Sequence, residues 1–197
     1  FLDLPDSYLE PGLGGKGLAV QLLLEHASAG IDPLDPDAPL LIAVGPAAGL
    51  NLAPASRYGL FAKSPLTGVF GESYAGGHVA PQISAVGVDA VLLTGAADTP
   101  VFLEISDQRV EFHDGGPFWG MDLYESEDAL TAAVGAKRAG TITIGPAGER
   151  QIPFAVVGND RGHQSGRTGM GAVMGAKRLK GIVFHGEAER RVHDPEA

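Results

Sequence analysis

Two stretches of this sequence combine glycines with basic side chains in a way that suits an anion. Ser73-Tyr74-Ala75-Gly76-Gly77 precedes one predicted helix, and Gly162-His163-Gln164-Ser165-Gly166-Arg167-Thr168-Gly169 precedes another. Glycine lets backbone N–H groups approach a ligand, arginine offers a planar fork of donors matched to phosphate oxygens, and a helix N-terminus adds partial positive charge. The surrounding charge agrees. From Ala38 to Gly71 there is no Asp or Glu beside Arg57 and Lys63, and Arg150 to Lys180 holds Arg150, Arg161, Arg167, Lys177, Arg178 and Lys180 against Asp160 alone. These segments carry net +2 and +5 in a chain of net charge −10. Two such half-sites suit a ligand with two phosphate-bearing arms, or two copies of one ligand. Solvated arginines in glycine-rich surface loops remain the plainer alternative, and neither run matches a nucleotide fingerprint.

Other chemistry has less support. His26, His78, His113, His163, His185 and His193 show no metal-ligand spacing along the chain and read as surface or strand histidines. Glu125, Glu127 and Asp128 open a predicted helix, where carboxylates favour the dipole, so capping is expected of them. Ser64 and Ser165 lack a histidine and a carboxylate at a recognisable spacing for nucleophilic catalysis. Trp119 reads as a packing anchor. With no cysteine, the chain has no disulfide, no thiolate zinc site and no ligand for an iron–sulfur cluster.

The elements that must position the two runs follow from hydrophobic periodicity and turn signals. A helix is expected from Gly14 through Leu24, stopped by Gly30. Strands are expected over Leu40–Val44, Tyr58–Ala62 and Ala90–Thr94, with a glycine-rich passage from Gly68 to Gly77 and a helix from His78 to Val86. Val101–Ile105 and Val110–His113 flank Asp107-Gln108 as a hairpin, and Asp122–Val134 has the amphipathic pattern of a helix. Thr141–Ile144, Phe154–Val157 and Ile182–His185 read as strands, and Thr168–Lys177 as a short helix rich in small residues.

The chain also echoes itself. Ile42-Ala43-Val44-Gly45-Pro46-Ala47-Ala48-Gly49 returns as Ile142-Thr143-Ile144-Gly145-Pro146-Ala147-Gly148, and Gly87–Gly95 resembles Arg178–Gly186. The reading is one domain over 1–197 built of two repeats, about 13–95 and 120–186, followed by a charged tail, 187–197. The acidic balance argues against a nucleic-acid partner. The longest apolar stretch near the start, Leu18 to Leu24, is interrupted by Gln21 and too short to span a bilayer. No membrane association and no signal peptide are expected, and the chain reads as a soluble, cytoplasmic fragment whose first residue is Phe1.

Taken in order, Gly45-Pro46, Ser56-Arg57-Tyr58, Lys63-Ser64-Pro65-Leu66-Thr67-Gly68, Ala75-Gly76-Gly77, Gly145-Pro146-Ala147-Gly148-Glu149, Asn159-Asp160, Gly166-Arg167 and Gly171-Ala172-Val173-Met174-Gly175-Ala176-Lys177 resemble the N-terminal domain of the aldehyde ferredoxin oxidoreductases. The resemblance runs from about Leu13 to Gly186. It implies an α+β fold, an internally duplicated domain with two mixed β-sheets and a few short helices, on which a bis-pterin tungsten (or molybdenum) cofactor lies. It further implies that Arg57, Tyr74, Gly76, His163, Gln164, Gly166 and Arg167 contact the pterin phosphates or a bridging magnesium ion, with the carbonyls of Tyr74 and Gln164 as magnesium ligands.

The same resemblance implies an activity only for the complete enzyme: oxidation of an aldehyde to a carboxylic acid, with electrons passed through a [4Fe–4S] cluster to ferredoxin. The cluster and the substrate-handling residues belong to later C-terminal domains, a homodimer is a possible assembly, and the fragment alone is expected to be inactive with no catalytic residue of its own. Three positions depart from the family pattern: Tyr74 where an asparagine is familiar, His163 where an arginine is, and Gln164 where a small residue is usual. Arg161 is the neighbouring cation that could bind phosphate in place of His163. Two other readings stand beside this one: a related reductase of aromatic acyl thioesters, and a stand-alone module that binds a phosphate ligand or a partner subunit without redox chemistry.

Overall fold

Two strands that are buried from end to end, Leu40–Val44 and Leu179–Phe184, can be covered on both faces only inside a sheet, and each lies in the interior of one. The computed structural model describes residues 1–197 apart from 51, 53, 54, 108, 191 and 193–197, so Gln108 of the expected hairpin turn, His193 and most of the expected tail lie outside the described residues. In chain order the elements are α1 (Asp6–Leu9), α2 (Gly15–His26), β1 (Leu40–Val44), β2 (Tyr58–Lys63), β3 (Phe70–Ala75), α3 (Val79–Val86), β4 (Ala90–Leu93), β5 (Val101–Ser106) and β6 (Arg109–Asp114). After a 3-10 turn at Gly116–Phe118 come α4 (Leu123–Val134), β7 (Gly140–Thr143), α5 (Pro146–Glu149), β8 (Val157–Asn159), β9 (His163–Ser165), α6 (Met170–Ala176) and β10 (Leu179–Phe184).

The strands form two sheets, ordered β3-β2-β1-β4 and β6-β5-β10-β7-β8-β9. The four-stranded order recurs inside the six-stranded one as β9-β8-β7-β10, again with a helix before the last strand. The hairpin β5–β6 extends that second set, pairing parallel through β5 to β10. The fold is α+β with two sheets and short helices, as expected. Only the larger sheet is mixed, because every neighbour in the smaller one is antiparallel.

The main core lies between the sheets, where Ile42, Leu60 and Ala75 of one meet Ile142, Val157 and Ile182 of the other around α3 and α6. Outside the first sheet, Leu18, Leu22 and Leu23 of α2 cover Leu41, Ala43 and Phe61. Outside the second, Leu130 of α4 covers Phe102 and Val183. The helix α4 begins on a capping box: Asp122 accepts from the N–H groups of Tyr124 and Glu125, and Glu125 reaches back to the N–H of Asp122.

Several expectations shift. The glycine-rich passage 68–77 contains strand β3, and part of the second run is strand β9. The strand expected at Phe154–Val157 begins instead at Val157, leaving Phe154 exposed in a turn. Trp119 is only half buried and stands outside the core clusters; its neighbour Phe118 makes the packing contact, edge-on to Phe102 at 5.5 Å.

Candidate functional site

Both β3 and β9 end their sheets, and the two edges lie against each other. Three contacts set this seam: Ser73 Oγ donates to the Gly166 carbonyl (2.7 Å), Thr168 Oγ1 to the Glu72 carbonyl (3.3 Å), and the His163 ring lies 3.6 Å from where a Cβ on Gly76 would stand. The segments therefore run antiparallel, His163 beside Gly76 and Gly166 beside Ser73. Their registers also match within each sheet, since Tyr74 sits opposite Gly59 and Gln164 opposite Gly158. The two runs picked out for anion binding thus meet, one from each half, and bring Tyr74, Gly76, His163, Gln164 and Gly166 together.

Two short polar networks hold the seam. Asn159, buried, accepts from the Tyr58 hydroxyl (2.9 Å) and donates to the Gly76 carbonyl (2.8 Å), so one amide ties β2 of the first sheet to the loop after β3. The β8–β9 turn then takes Asp160 and Arg161 into left-handed backbone, and its N–H groups donate to the Glu127 carboxylate at 2.8 and 3.1 Å. The Asp160 carboxylate accepts from the His78 N–H at the start of α3 (2.7 Å). Gly77, at φ +96°, passes so close that a Cβ there would stand 1.9 Å from Asp160 Oδ2.

Burial pushes the Tyr58 phenol strongly up, the neighbouring Ser165 side chain acts the other way, and Asp160 and Glu127 add upward pressure. It stays protonated and holds Asn159. The Ser165 hydroxyl is buried at the seam with no hydrogen-bond partner among the described residues.

Much of the basic excess is committed within the fold. The ammonium of Lys63 donates to the Ile31 carbonyl (2.6 Å), Lys177 to the Pro36 and Gly95 carbonyls, and Lys180 to Glu149. Arg178 reaches the Asp98 carbonyl, and Arg161 pairs with Asp128 rather than standing in for His163. Arg57 and Arg167 are exposed and make no side-chain hydrogen bond or ion pair among the described residues. Arg57 precedes Tyr58, which pairs with Ala75 next to Gly76; Arg167, at φ +74°, follows Gly166. Both therefore flank the seam.

The Tyr74 side chain, by contrast, turns to the α2 side. Its ring meets Phe61 edge-on at 5.6 Å, and its hydroxyl donates to Glu72 (3.0 Å), itself bridged to Lys16 at 2.7 Å. The Lys16 ammonium holds the Glu72 carboxyl below the usual range against a smaller upward effect of burial. Burial first, then Glu72, pushes the Tyr74 phenol up to about 12. Only the backbone of Tyr74 remains for the seam.

Capping explains Glu125 but not its neighbours, since Glu127 clamps the β8–β9 turn and Asp128 pairs with Arg161. Tyr58, Glu127 and Asn159 are absent from the site expected on sequence, although the Asn159-Asp160 motif is a usable signal. The Ser64 hydroxyl donates to the Thr168 carbonyl and accepts from Leu66 and Thr67, a structural role.

The profile of the family described as aldehyde ferredoxin oxidoreductase, N-terminal domain, matches residues 1–186. The chain belongs to this family. Within it, the chain is 39% identical over 174 residues to the tungsten-containing aldehyde ferredoxin oxidoreductase of Pyrococcus furiosus, covering 88% of this chain and 29% of that protein. It is 31% identical over 201 residues to the aliphatic sulfonate oxidoreductase, WOR-like subunit, of the same organism, covering 94% and 32%. A solved complex described as the active site complex BamBC of benzoyl coenzyme A reductase with 1,5-dienoyl-CoA superimposes at a TM-score of 0.95 over 99% of this chain and 30% of that one, at 29% identity. The chain thus spans about three-tenths of the length of these oxidoreductases. Among the described residues, no helix is long and apolar enough to cross a membrane.

Proposed function

We propose that this chain is the part of a tungsten (or molybdenum) bis-pterin oxidoreductase on which the cofactor rests, with the β3–β9 seam as its seat. The observation that supports this most is the pair of exposed, uncommitted guanidinium groups, Arg57 and Arg167, flanking the seam where two sheet edges meet at Gly76 and Gly166. The donor set suits a diphosphorylated guest. Two planar cations match phosphate oxygens, small residues allow close backbone approach, and the buried Ser165 hydroxyl keeps an unused bond.

In this reading Arg57 and Arg167 hold phosphate, Gly76 and Gly166 admit the ligand close to the backbone, and the backbone carbonyls of Tyr74 and Gln164 are the candidate magnesium ligands. The magnesium role suits hard oxygen donors shared with phosphate and water. His163 contributes an imidazole ring where a guanidinium would be expected. The pterin-bound metal would supply the redox chemistry. The residues of this chain bind and orient it, and none acts on substrate. Aldehyde oxidation, a [4Fe–4S] cluster, ferredoxin as electron acceptor, a second copy as dimer partner and inactivity of the chain alone are carried over from the family on the same footing. We read the matching strand orders of the two halves as one unit repeated, over about 13–95 and 120–186.

The TM-score of 0.95 to the benzoyl coenzyme A reductase complex supports a second reading, in which the same seat serves a reductase of aromatic acyl thioesters.

The test is calorimetric titration of the chain with pyrophosphate and with a phosphorylated pterin. Loss of a charge-assisted phosphate contact is worth about 1.5–3 kcal/mol, so Arg57→Ala and Arg167→Ala should each weaken binding roughly 10- to 100-fold. Unchanged affinity in both variants removes the seam from consideration.

A further inference from the structure

At the opposite side of the larger sheet, β5 and β6 place Glu104 directly across from Glu111, and Phe102 across from His113. Like charges facing each other across a ladder are unfavourable unless something lies between them. The ligand atoms of Glu104, Glu111 and His113 all lie within 4.8 Å of one another. We propose that Glu104, Glu111 and His113 form a binding site for a divalent transition-metal ion of the zinc type, held outside the cofactor seat.

The ring of His113 is pre-positioned, stacked on Phe102 at 4.7 Å and 16°, with Nε2 2.9 Å from Glu104 Oε2. The second oxygen of Glu104 is engaged by His185 Nε2 at 2.8 Å. That is the outer support a ligating carboxylate needs, with His185 orienting Glu104. All four side chains are partly buried, which lowers the cost of stripping water from them while leaving a path for an ion. Arg109, mostly exposed, pairs with Glu111 and would swing aside when an ion arrives.

Ligands at about 2.0–2.1 Å in a tetrahedron stand about 3.3 Å apart, so closure asks only for side-chain adjustment on a fixed ladder. One imidazole and two carboxylates favour zinc or a neighbouring first-row ion over calcium, and water takes the fourth position. Spacing along the chain conceals the group, because its members come from two strands and the supporting histidine from the end of a third.

The chain, freed of metal with a chelator, is titrated with zinc chloride in a calorimeter and, separately, with cobalt(II) while its visible spectrum is followed. The expected result is one zinc per chain. Affinity should fall more than about 100-fold in His113→Ala and in Glu104→Gln, fall about 10-fold in His185→Ala, and stay unchanged in His26→Ala. Glu111→Gln, a conservative change on a half-exposed strand, should alter the cobalt spectrum even if a larger substitution unfolds the hairpin. Absence of stoichiometric zinc in the wild-type chain overturns the proposal. So does zinc affinity that survives Glu104→Gln and Glu111→Gln together.

Discussion

Lys180, the second residue of β10, has its ammonium wholly buried, 2.5 Å from Glu149 Oε1 and 3.0 Å from the Met121 carbonyl. The Glu149 carboxylate, almost as buried, also accepts from the Gly120 N–H at 2.9 and 3.0 Å. Burial lowers the Lys180 ammonium from its usual range, and the hydrogen bond and charge of Glu149 work against that fall. Each charge answers the other in a buried setting, so removing one member should cost more than removing both. Lys180→Met keeps the stem and deletes the charge. It leaves a buried carboxylate with only an amide donor, a loss of about 3–5 kcal/mol. The double variant Lys180→Met/Glu149→Leu removes both charges and should recover most of that loss.

Urea unfolding followed by circular dichroism reads both, with the midpoint compared at constant m. If Lys180→Met loses under about 1 kcal/mol, or the double variant is no better than the single, the site is wetter than its burial indicates and the reasoning fails.

Two further outcomes follow from burial and close packing. Burial lowers Lys177 to about 8, although Asp37 and Asp35 pull the other way. The unfolded chain, with lysine near 10.4, binds the extra proton between these values, so stability should rise from pH 8 to pH 9.5 by about 1–2 kcal/mol, and Lys177→Met should flatten that rise. In α6, a Cβ on Gly175 would stand 1.9 Å from the Gly148 carbonyl oxygen, whereas one on Gly45 would meet nothing within 4 Å. Gly175→Ala should therefore lower stability by about 1–3 kcal/mol in denaturant unfolding while Gly45→Ala changes little.

What can be read from sequence follows burial. The run Leu40–Val44 announces β1 because an interior strand has no polar face, and Asp122 with Glu125 announces the start of α4 because its cap is local. β3 is hidden. Its core-facing residues are Gly71, Ser73 and Ala75, while Phe70 and Tyr74 face outward, so the usual alternation is inverted. β9 is three residues at a sheet edge, too short for any pattern. Glu127 cannot be separated from its capping neighbours, since its partners Asp160 and Arg161 lie 33 and 34 positions away. Charge counting overstates the anion surface for a related reason: Lys177 and Lys180 are interior and Arg161 is spoken for, which chain position does not reveal.

The six-stranded sheet also acts as a ruler. β6 and β9 are its two margins, five strand intervals apart, so at about 4.8 Å per interval some 24 Å separates the carboxylate–imidazole group from the seam. An ion clipped into the far hairpin could not reach a guest at the near margin. Its influence would be mechanical, a rivet at one rim of a plate whose other rim does the holding, and loss of the rivet would loosen the hairpin well before it disturbed the seat.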